Sequence, residues 1–169
     1  MKIRSFLLFC FLFSMSIFLF AETQMSPQTA KNESTTKDDF ALIIKDYYAA
    51  WNTLDLDQPA RYYAKDADLV FYDVAPLKYN GWQEYRNGVE NLLKAYSSLK
   101  LVPNNDLKVR RVGKVAWTTL TFHLIGTTKD GKRSDLESRH TAIWQKMHGQ
   151  WLVVHEHVSV QIGESAASQ

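Results

Sequence analysis

The sequence predicts an α+β fold in which three helices pack on one face of a strongly curved, mostly antiparallel sheet. Apolar residues follow helical spacing in the first half of the domain and alternate with polar residues from Leu101 onward. Two long alternating segments, 134–147 and 150–161, are joined by the dipeptide His148-Gly149, as in a tight antiparallel hairpin. Because the helices come first and the strands follow as a meander, the helices are expected together on one side of the sheet.

Three helices are predicted from capping signals and apolar spacing. The first begins near Thr36, where a hydroxyl cap is followed by a carboxylate three residues later. Its apolar face comprises Phe40, Ile43, Ile44, Tyr47, Tyr48, Trp51 and Leu54. A short second helix starts at Asp57, has Pro59 in its first turn and extends to about Ala64. The third helix is predicted over residues 82–99.

The strands are predicted from the alternation of polar and apolar residues. A short strand is expected over residues 68–73, between the second and third helices. Four long strands are expected at about 101–112, 115–128, 134–147 and 150–161. Asp130-Gly131 and His148-Gly149 supply the hairpin turns. A bent sheet around a long helix leaves a cone whose open end is a pocket.

The first 21 residues have the pattern of an export signal. Lys2 and Arg4 precede an apolar run over residues 6–20, and Ala21 then gives way to polar residues. This order predicts a signal peptide over 1–21 and therefore a secreted or periplasmic protein. The alternative is an uncleaved membrane anchor, although the run is somewhat short for a bilayer span of ~20 residues. Membrane contact is expected only through this signal.

The rest of the chain divides into a linker, a domain and a tail. Residues 22–35 are polar, contain Pro27 and lack apolar periodicity, which predicts a flexible linker. Residues 36–162 are long enough to form one domain with its own core. Residues 163–169 are predicted to be a disordered tail.

Removal of the export signal would leave a neutral chain without cysteine. The chain has 20 basic and 18 acidic residues, and Lys2 and Arg4 belong to the signal, so 18 of each sign would remain. A neutral domain has no electrostatic basis for binding nucleic acid. The only cysteine, Cys10, also lies in the signal, which excludes disulfides and thiolate sites from the mature chain.

Four groups of residues accompany this order of elements: Tyr47-Tyr48-Ala49-Ala50-Trp51-Asn52 with Asp55-Leu56, Tyr79-Asn80-Gly81-Trp82, Trp144-Gln145-Lys146 with Gly149-Gln150-Trp151, and His155-Glu156-His157-Val158-Ser159. Together with the order of the elements, they resemble the nuclear-transport-factor-2-like superfamily, and within it the SnoaL-like group that also contains ketosteroid isomerase. The resemblance covers about residues 38–162. It implies a cone-shaped fold, which hosts isomerases, dehydratases, cyclases, hydrolases and non-catalytic binding or assembly domains.

The comparison with ketosteroid isomerase implies two catalytic residues. Tyr47 resembles the tyrosine that donates a hydrogen bond to the developing oxyanion, and Asp73 resembles the general base. Thr141 stands where that family has a protonated carboxylate, so the set is incomplete for steroid isomerisation. A desolvated Asp73 would have a raised pKa suited to proton abstraction. The structural alternatives are a turn aspartate at position 73 and a core tyrosine at position 47.

Four further residues are predicted to contact a ligand. Glu156 belongs to the mostly aliphatic set of the last strand, where a buried carboxylate needs a cation, and Arg139 is the predicted partner. This pair would be either a structural ion pair or a binding site for a substrate carboxylate or hydroxyl. Trp82, at the start of the third helix, is predicted as an aromatic pocket wall, with Tyr79 beside it.

The opposite face of the last strand favours a protein interface over a metal site. His155 and His157 share that face, but no third ligand accompanies them, so neither a metal nor another cofactor is expected. Trp151 and Val153 lie on the same predicted face, and with Trp117 they would expose an apolar patch in a monomer. A homodimer through the outer sheet face is therefore predicted.

Three functional hypotheses follow. The first is an exported binding protein whose pocket takes a small, partly apolar molecule. The second is a cofactor-free isomerase or dehydratase with Asp73 as general base. The third is a non-catalytic assembly module, similar to the kinase association domains that share the fold. Convergence of Asp73, Tyr47 and Arg139 on one cavity would favour catalysis.

Overall fold

The computed structural model describes residues 27–161, with side chains from Asp39 onward. The predicted export signal and the predicted tail lie outside these residues. The described part of the chain contains no helix that is both long and apolar enough to cross a membrane.

Three helices form the layer above the sheet: α1 (Pro27–Trp51), α2 (Asp57–Ala60) and α3 (Gly81–Lys94). Helix α1 begins before the predicted cap at Thr36, so residues 27–35 of the predicted linker are helical. Helix α3 ends at Lys94 rather than Leu99, because the chain from Tyr96 onward pairs with the sheet. Competition from strand pairing thus overrides the helical spacing of these last residues.

The sheet contains seven strands: β1 (Val70–Tyr72), β2 (Tyr79–Asn80), β3 (Tyr96–Pro103), β4 (Lys108–Val112), β5 (Val115–Thr128), β6 (Arg133–Met147) and β7 (Gln150–Val160). Their order is β2-β1-β7-β6-β5-β3, and β4 also pairs with β5. All pairs are antiparallel except β1 with β7. The short β2 was not predicted.

The predicted strand over 101–112 is two strands that share one edge of β5. Strand β4 pairs with the first part of β5 and β3 with the second. Between them the chain turns away, and Asp106 accepts hydrogen bonds from the backbone N–H of Thr121 at 3.0 Å and from its hydroxyl at 2.8 Å. This carboxylate occupies the edge position that a continuous strand would have filled. The single-strand prediction was wrong for that reason.

Both predicted hairpin turns are confirmed. His148 and Gly149 have φ values of 49° and 86°, the left-handed pair that joins long twisted strands through two residues. Gly131 has a φ of 88° in the turn between β5 and β6. The β5–β6 and β6–β7 hairpins form the long central part of the sheet.

A β-bulge in β7 decides which side chains enter the core. Ile143 pairs with His155 and Trp144 with Val153, so Val154 is an extra residue. Val153 and Glu156 are therefore both buried, although simple alternation places them on opposite faces. The prediction that Val153 lies on the outer face was wrong, because one inserted residue reverses the alternation.

The core lies between the inner sheet face and the apolar face of α1. Of that predicted face, Phe40, Ile44, Tyr47, Tyr48 and Trp51 are buried, and Ile43 and Leu54 are partly buried. Just after α1, the Asn52 side chain accepts from the backbone N–H of Leu101 at 2.6 Å and donates to its carbonyl at 3.2 Å. One amide thereby fixes the edge strand β3 beside the end of α1.

Candidate functional site

An apolar cavity of about 170 Å³ opens between the helices and the concave face of the sheet. Its walls come from α1, α3, β3, β5, β6, β7 and the loop after β1. The lining residues are mainly aromatic and aliphatic: Tyr47, Tyr48, Trp51, Val74, Ala75, Tyr85, Val89, Leu92, Leu93, Tyr96, Leu99, Leu101, Phe122, Leu124, Leu136 and Val158. The two remaining lining residues are Asp73 and His140, which are the titratable residues of the lining apart from its tyrosines. A cavity of roughly this size with apolar walls can hold a single-ring molecule.

A buried carboxylate lies directly behind the inner wall. Glu156 on β7 accepts hydrogen bonds from the hydroxyls of Tyr47 at 2.9 Å and Tyr63 at 2.8 Å. Tyr85 of α3 donates to the other carboxylate oxygen. The Tyr47 and Tyr63 hydroxyl oxygens are 2.5 Å apart. Three tyrosines from three parts of the chain thus converge on one acidic group, and both of its oxygens accept hydrogen bonds.

His140 of β6 completes this group and connects it to the cavity. Its Nε2 atom lies 3.3 Å from Glu156 Oε2, in ion-pair range but without a well-aligned hydrogen bond. Its Nδ1 atom is 3.1 Å from the Tyr48 hydroxyl. Both Tyr48 and His140 line the cavity. The buried cluster therefore meets the cavity through one tyrosine hydroxyl and one imidazole.

The cluster favours a charged glutamate and neutral tyrosines. Burial raises the pKa of Glu156, but the adjacent His140 imidazole, through its close contact and its charge, and the hydroxyls of Tyr85 and Tyr63 outweigh burial, so the pKa lies below the usual value. Burial and then the negative charge of Glu156 raise the pKa of Tyr47, Tyr63 and Tyr85 well above 10. These tyrosines therefore act as hydrogen-bond donors and not as acids.

Asp73 lies at the mouth of the cavity, just after β1. Its carboxylate accepts a hydrogen bond from the backbone N–H of Val74 at 2.7 Å. Burial raises the pKa of this carboxyl group to about 6, and the nearby charge of Glu156 adds to the increase. Asp73 also lines an open outer groove with Tyr72, Val74, Leu77 and residues 157–160. It thus stands where the cavity meets the groove.

Of the predicted site residues, Tyr47 and Asp73 both line the cavity. Glu156 does not line it, but it holds two of the wall tyrosines through hydrogen bonds. Trp82 and Tyr79 are buried outside the cavity lining, and their rings pack against Tyr85 at centroid distances of 5.8 Å and 5.4 Å. Both residues support the wall from behind and do not form its surface.

The predicted pairing of Arg139 with Glu156 was wrong. Arg139 is exposed on the outer sheet face, as is Thr141, and the neighbouring residue His140 points inward to Glu156. The alternation along β6 places Ser138, His140, Ala142 and Trp144 in the core. The expected convergence of Asp73, Tyr47 and Arg139 is therefore incomplete, because Arg139 lies on the other side of the sheet.

The predicted site residues did not include Tyr48, Tyr63, Tyr85 or His140. The signal for His140 was present, since the alternation along β6 groups it with Ala142 and Trp144 on one face. No pattern in the sequence marks the hydroxyl of Tyr63 or Tyr85, whose roles arise only from tertiary packing.

The histidines on β7 are not arranged as a metal site. His155 Nδ1 lies 2.7 Å from the Val70 carbonyl oxygen, and the rings of His155 and His157 pack edgewise on Tyr72. Among the side chains of residues 39–161, no group of three or more from His, Cys, Asp or Glu is placed to hold a metal ion.

A family model described as the SnoaL-like domain matches residues 41–163 of the chain. The chain belongs to the SnoaL-like family. The match includes every residue of the cavity lining and of the Glu156 cluster. Among curated proteins, none matches the chain.

This SnoaL-like chain shares the nuclear-transport-factor-2-like fold with several solved structures. A superfamily protein from Salmonella enterica is 18% identical, with a TM-score of 0.70 over 80% of this chain and 98% of that one. A candidate calcium/calmodulin-dependent protein kinase II association domain from Xanthomonas campestris is 26% identical, with a TM-score of 0.63 over 73% and 86% of the two chains. The Caenorhabditis elegans association domain of that kinase is 18% identical, with a TM-score of 0.60 over 76% and 98%.

Proposed function

We propose that this SnoaL-like protein binds a small, largely apolar molecule in the cavity between the helices and the sheet. The observation that supports this most strongly is a cavity of about 170 Å³ with aromatic and aliphatic walls and few polar groups. Apolar side chains that touch no partner gain free energy when a ligand replaces water or empty space beside them. The Tyr48 hydroxyl and His140 supply one point at which the orientation of the ligand can be fixed.

The proposal is tested with neutral single-ring probes and a variant that fills the cavity. Val89 of α3 is buried and lines the cavity, so Val89→Phe places a ring in the proposed binding space. Leu42→Phe is the matched control, since Leu42 is 64% exposed on α1. We expect cyclohexanone and benzyl alcohol to raise the thermal midpoint of the wild type and of Leu42→Phe, but not of Val89→Phe. Failure of both probes to bind the wild type would refute the proposal.

A second candidate function is cofactor-free proton transfer, as in an isomerase or dehydratase, with Asp73 as the base. It is favoured by the position of Asp73 at the cavity mouth and by its raised pKa of about 6. Tyr48, beside His140, could then polarise the carbonyl of a substrate. The test is exchange of the α-hydrogen of a bound ketone in D₂O, followed by NMR. Exchange that persists undiminished in Asp73→Asn would exclude this residue as the base.

We also propose that the protein forms a homodimer through the outer sheet face, as an assembly module would. Trp117 and Val115 are each 41% exposed on that face, and burial of such a patch would stabilise a dimer. The similarity to the Xanthomonas campestris association-domain structure supports this alternative. Sedimentation of the wild type and of Trp117→Lys tests it. A monomeric wild type at micromolar concentration would exclude it.

Export through residues 1–21 likewise stays a proposal, supported by the basic, apolar and small-residue order of that segment. The N-terminus of the protein recovered from cells expressing the full chain can be read by mass spectrometry. Processing near Ala21, together with recovery outside the cytoplasm, is expected. An unprocessed chain that stays in the cell would contradict it.

A further inference from the structure

The chemistry of the cavity mouth indicates which class of ligand the protein binds. Asp73 is partly buried, and its carboxylate accepts a hydrogen bond from the backbone N–H of Val74. No lysine or arginine among residues 39–161 forms an ion pair with Asp73. A partly desolvated carboxylate without a cationic partner is costly, and a ligand that supplies a cation would relieve that cost.

The cavity behind Asp73 suits the remainder of such a ligand. Six aromatic residues contribute to its lining: Tyr47, Tyr48, Trp51, Tyr85, Tyr96 and Phe122. Aromatic faces attract cations as well as apolar rings, so the walls tolerate a positive charge near the mouth. Glu156 is not available to a ligand cation, because its carboxylate is paired with His140 at 3.3 Å. Asp73 is therefore the acidic group of the cavity lining that a ligand cation can reach.

The outer groove gives the charged group access to water. Asp73, Val74 and Val158 line both the cavity and the groove, so the carboxylate borders both spaces. His157, Ser159 and Tyr72 add polar atoms on the groove side. An ammonium group at Asp73 would keep part of its hydration there, which avoids the full cost of burying a charge.

We propose that the ligand is an apolar cation: an amine whose ammonium group is held by Asp73 at the mouth while its ring occupies the aromatic cavity. This inference rests on the proposed binding function and specifies its ligand class. It excludes anionic ligands, because a carboxylate at the mouth would face the carboxylate of Asp73. A neutral ligand of the same shape would bind through the cavity walls alone.

Three probes of nearly equal size separate these cases: 2-phenylethylamine, 2-phenylethanol and phenylacetate. The protein is purified from cells expressing the full chain and titrated by calorimetry at pH 8. We expect the affinity to decrease from the amine to the alcohol to the carboxylate. The amine should bind about tenfold more tightly than the alcohol, the range for an ion pair that remains partly hydrated. In Asp73→Asn this ratio should fall to about one, whereas Asp68→Asn, at an exposed position, should preserve it.

The outcomes distinguish this inference from the function on which it rests. Equal affinities of amine and alcohol for the wild type would overturn the cation proposal and leave the cavity-binding function intact. A preference for the amine that persists in Asp73→Asn would also overturn it, because another group would then hold the charge. If none of the three probes binds, both the inference and the proposed function fail. Thermal unfolding of each variant verifies that it is folded.

Discussion

Glu156 and His140 lie side by side in the core, with the carboxylate Oε2 3.3 Å from the imidazole Nε2, and both side chains are almost completely buried. They come from adjacent strands, β7 and β6, and the pair faces the helices. Three tyrosine hydroxyls surround the carboxylate and Tyr48 contacts the other imidazole nitrogen. This arrangement replaces part of the apolar core with a buried polar network that reaches the cavity through Tyr48 and His140.

Replacing the buried carboxylate should strongly destabilise the fold. In Glu156→Gln the shape is retained, but the charge beside His140 is lost and the amide cannot accept at both ends from the tyrosines. We expect the free energy of unfolding to fall by about 3 kcal/mol, as when one member of a buried ion pair is removed. Urea unfolding measures the loss. The exposed Glu137→Gln on β6 is the control and should change stability by less than about 0.5 kcal/mol.

The same pair predicts a sensitivity to acid. The pKa of Glu156 is lower in the folded protein than in the unfolded chain, so the ionised carboxylate stabilises the fold. This stabilisation is fully present above the unfolded pKa of roughly 4.3 and is lost as pH falls through the folded pKa. The wild type should therefore lose more stability on acidification below about pH 4.5 than Glu156→Gln loses. If the free energy of unfolding depends on pH in the same way for both proteins, the fold does not lower the pKa of this carboxylate.

Asp73 should show the opposite dependence on pH. Its folded pKa of about 6 is raised above its unfolded value, so ionisation favours the unfolded chain. Below about pH 4 both states hold the proton and there is no penalty; the penalty grows as pH rises from about 4 to 6 and is then constant. Charged or titratable groups near Asp73 are Glu156, His140, Tyr79 and Tyr85.

Asp73→Asn should therefore stabilise the protein at pH 8 by roughly 1–2 kcal/mol and have little effect at pH 4. This stabilisation is smaller than the pKa shift of Asp73 alone would imply, because solvent screens the partly exposed side chain. Thermal or urea unfolding across pH 4–8 gives the difference curve, with Asp68→Asn as the exposed control. A difference independent of pH would show that the carboxyl group is not perturbed by the fold. Such stabilisation by removing a charge is typical of a residue retained for function and not for stability.

The sequence was sufficient to predict the fold because local signals and long-range constraints agree over most of the domain. The apolar face of α1 and the glycine turns at Gly131 and Gly149 are local features that tertiary contacts reinforce. The prediction failed where a partner strand decides the outcome. Tyr96 leaves the helical pattern because β5 offers it a pairing partner, and Val153 turns inward because one residue of β7 is bulged.

The site was less predictable than the fold for a physical reason. A buried carboxylate in β7 was inferred correctly from its aliphatic neighbours, since Glu156 is 3% exposed. Its partners could not be read from composition, because Tyr47, Tyr63 and Tyr85 come from separate parts of the chain and meet only in the core. Arg139 was predicted as the partner of Glu156, but strand alternation places His140, and not Arg139, on the inner face beside it.

Asn52 should be a stability determinant although it is exposed. Its side chain makes two hydrogen bonds to the backbone of Leu101, at 2.6 Å and 3.2 Å, and so pairs with edge strand β3 as a short strand would. We expect Asn52→Ala to lower the free energy of unfolding by about 1–2 kcal/mol. Asn91→Ala, at an exposed position of α3, is the control. Amide hydrogen exchange should be faster at Leu101 in Asn52→Ala, and unchanged protection there would contradict the assigned role.

Gly88 should be needed for full stability because the ring of Tyr79 lies against its backbone. A Cβ atom at position 88 would be 2.2 Å from that ring, and the ring itself packs on Tyr85, a donor to Glu156. Gly88→Ala must therefore displace Tyr79 and disturb the wall of the cavity. We expect a loss of about 1–3 kcal/mol in the free energy of unfolding, the range for overpacking.

A double-mutant cycle separates this steric effect from the change in helix propensity. Alanine is a better helix former than glycine by roughly 1 kcal/mol, so in the background Tyr79→Ala, where the obstructing ring is absent, Gly88→Ala should be neutral or stabilising. The change of sign between the two backgrounds is the expected result, measured by urea unfolding. Equal effects in both backgrounds would mean that position 88 does not sense the ring. Tyr79 would then support the wall of the cavity through Tyr85 alone.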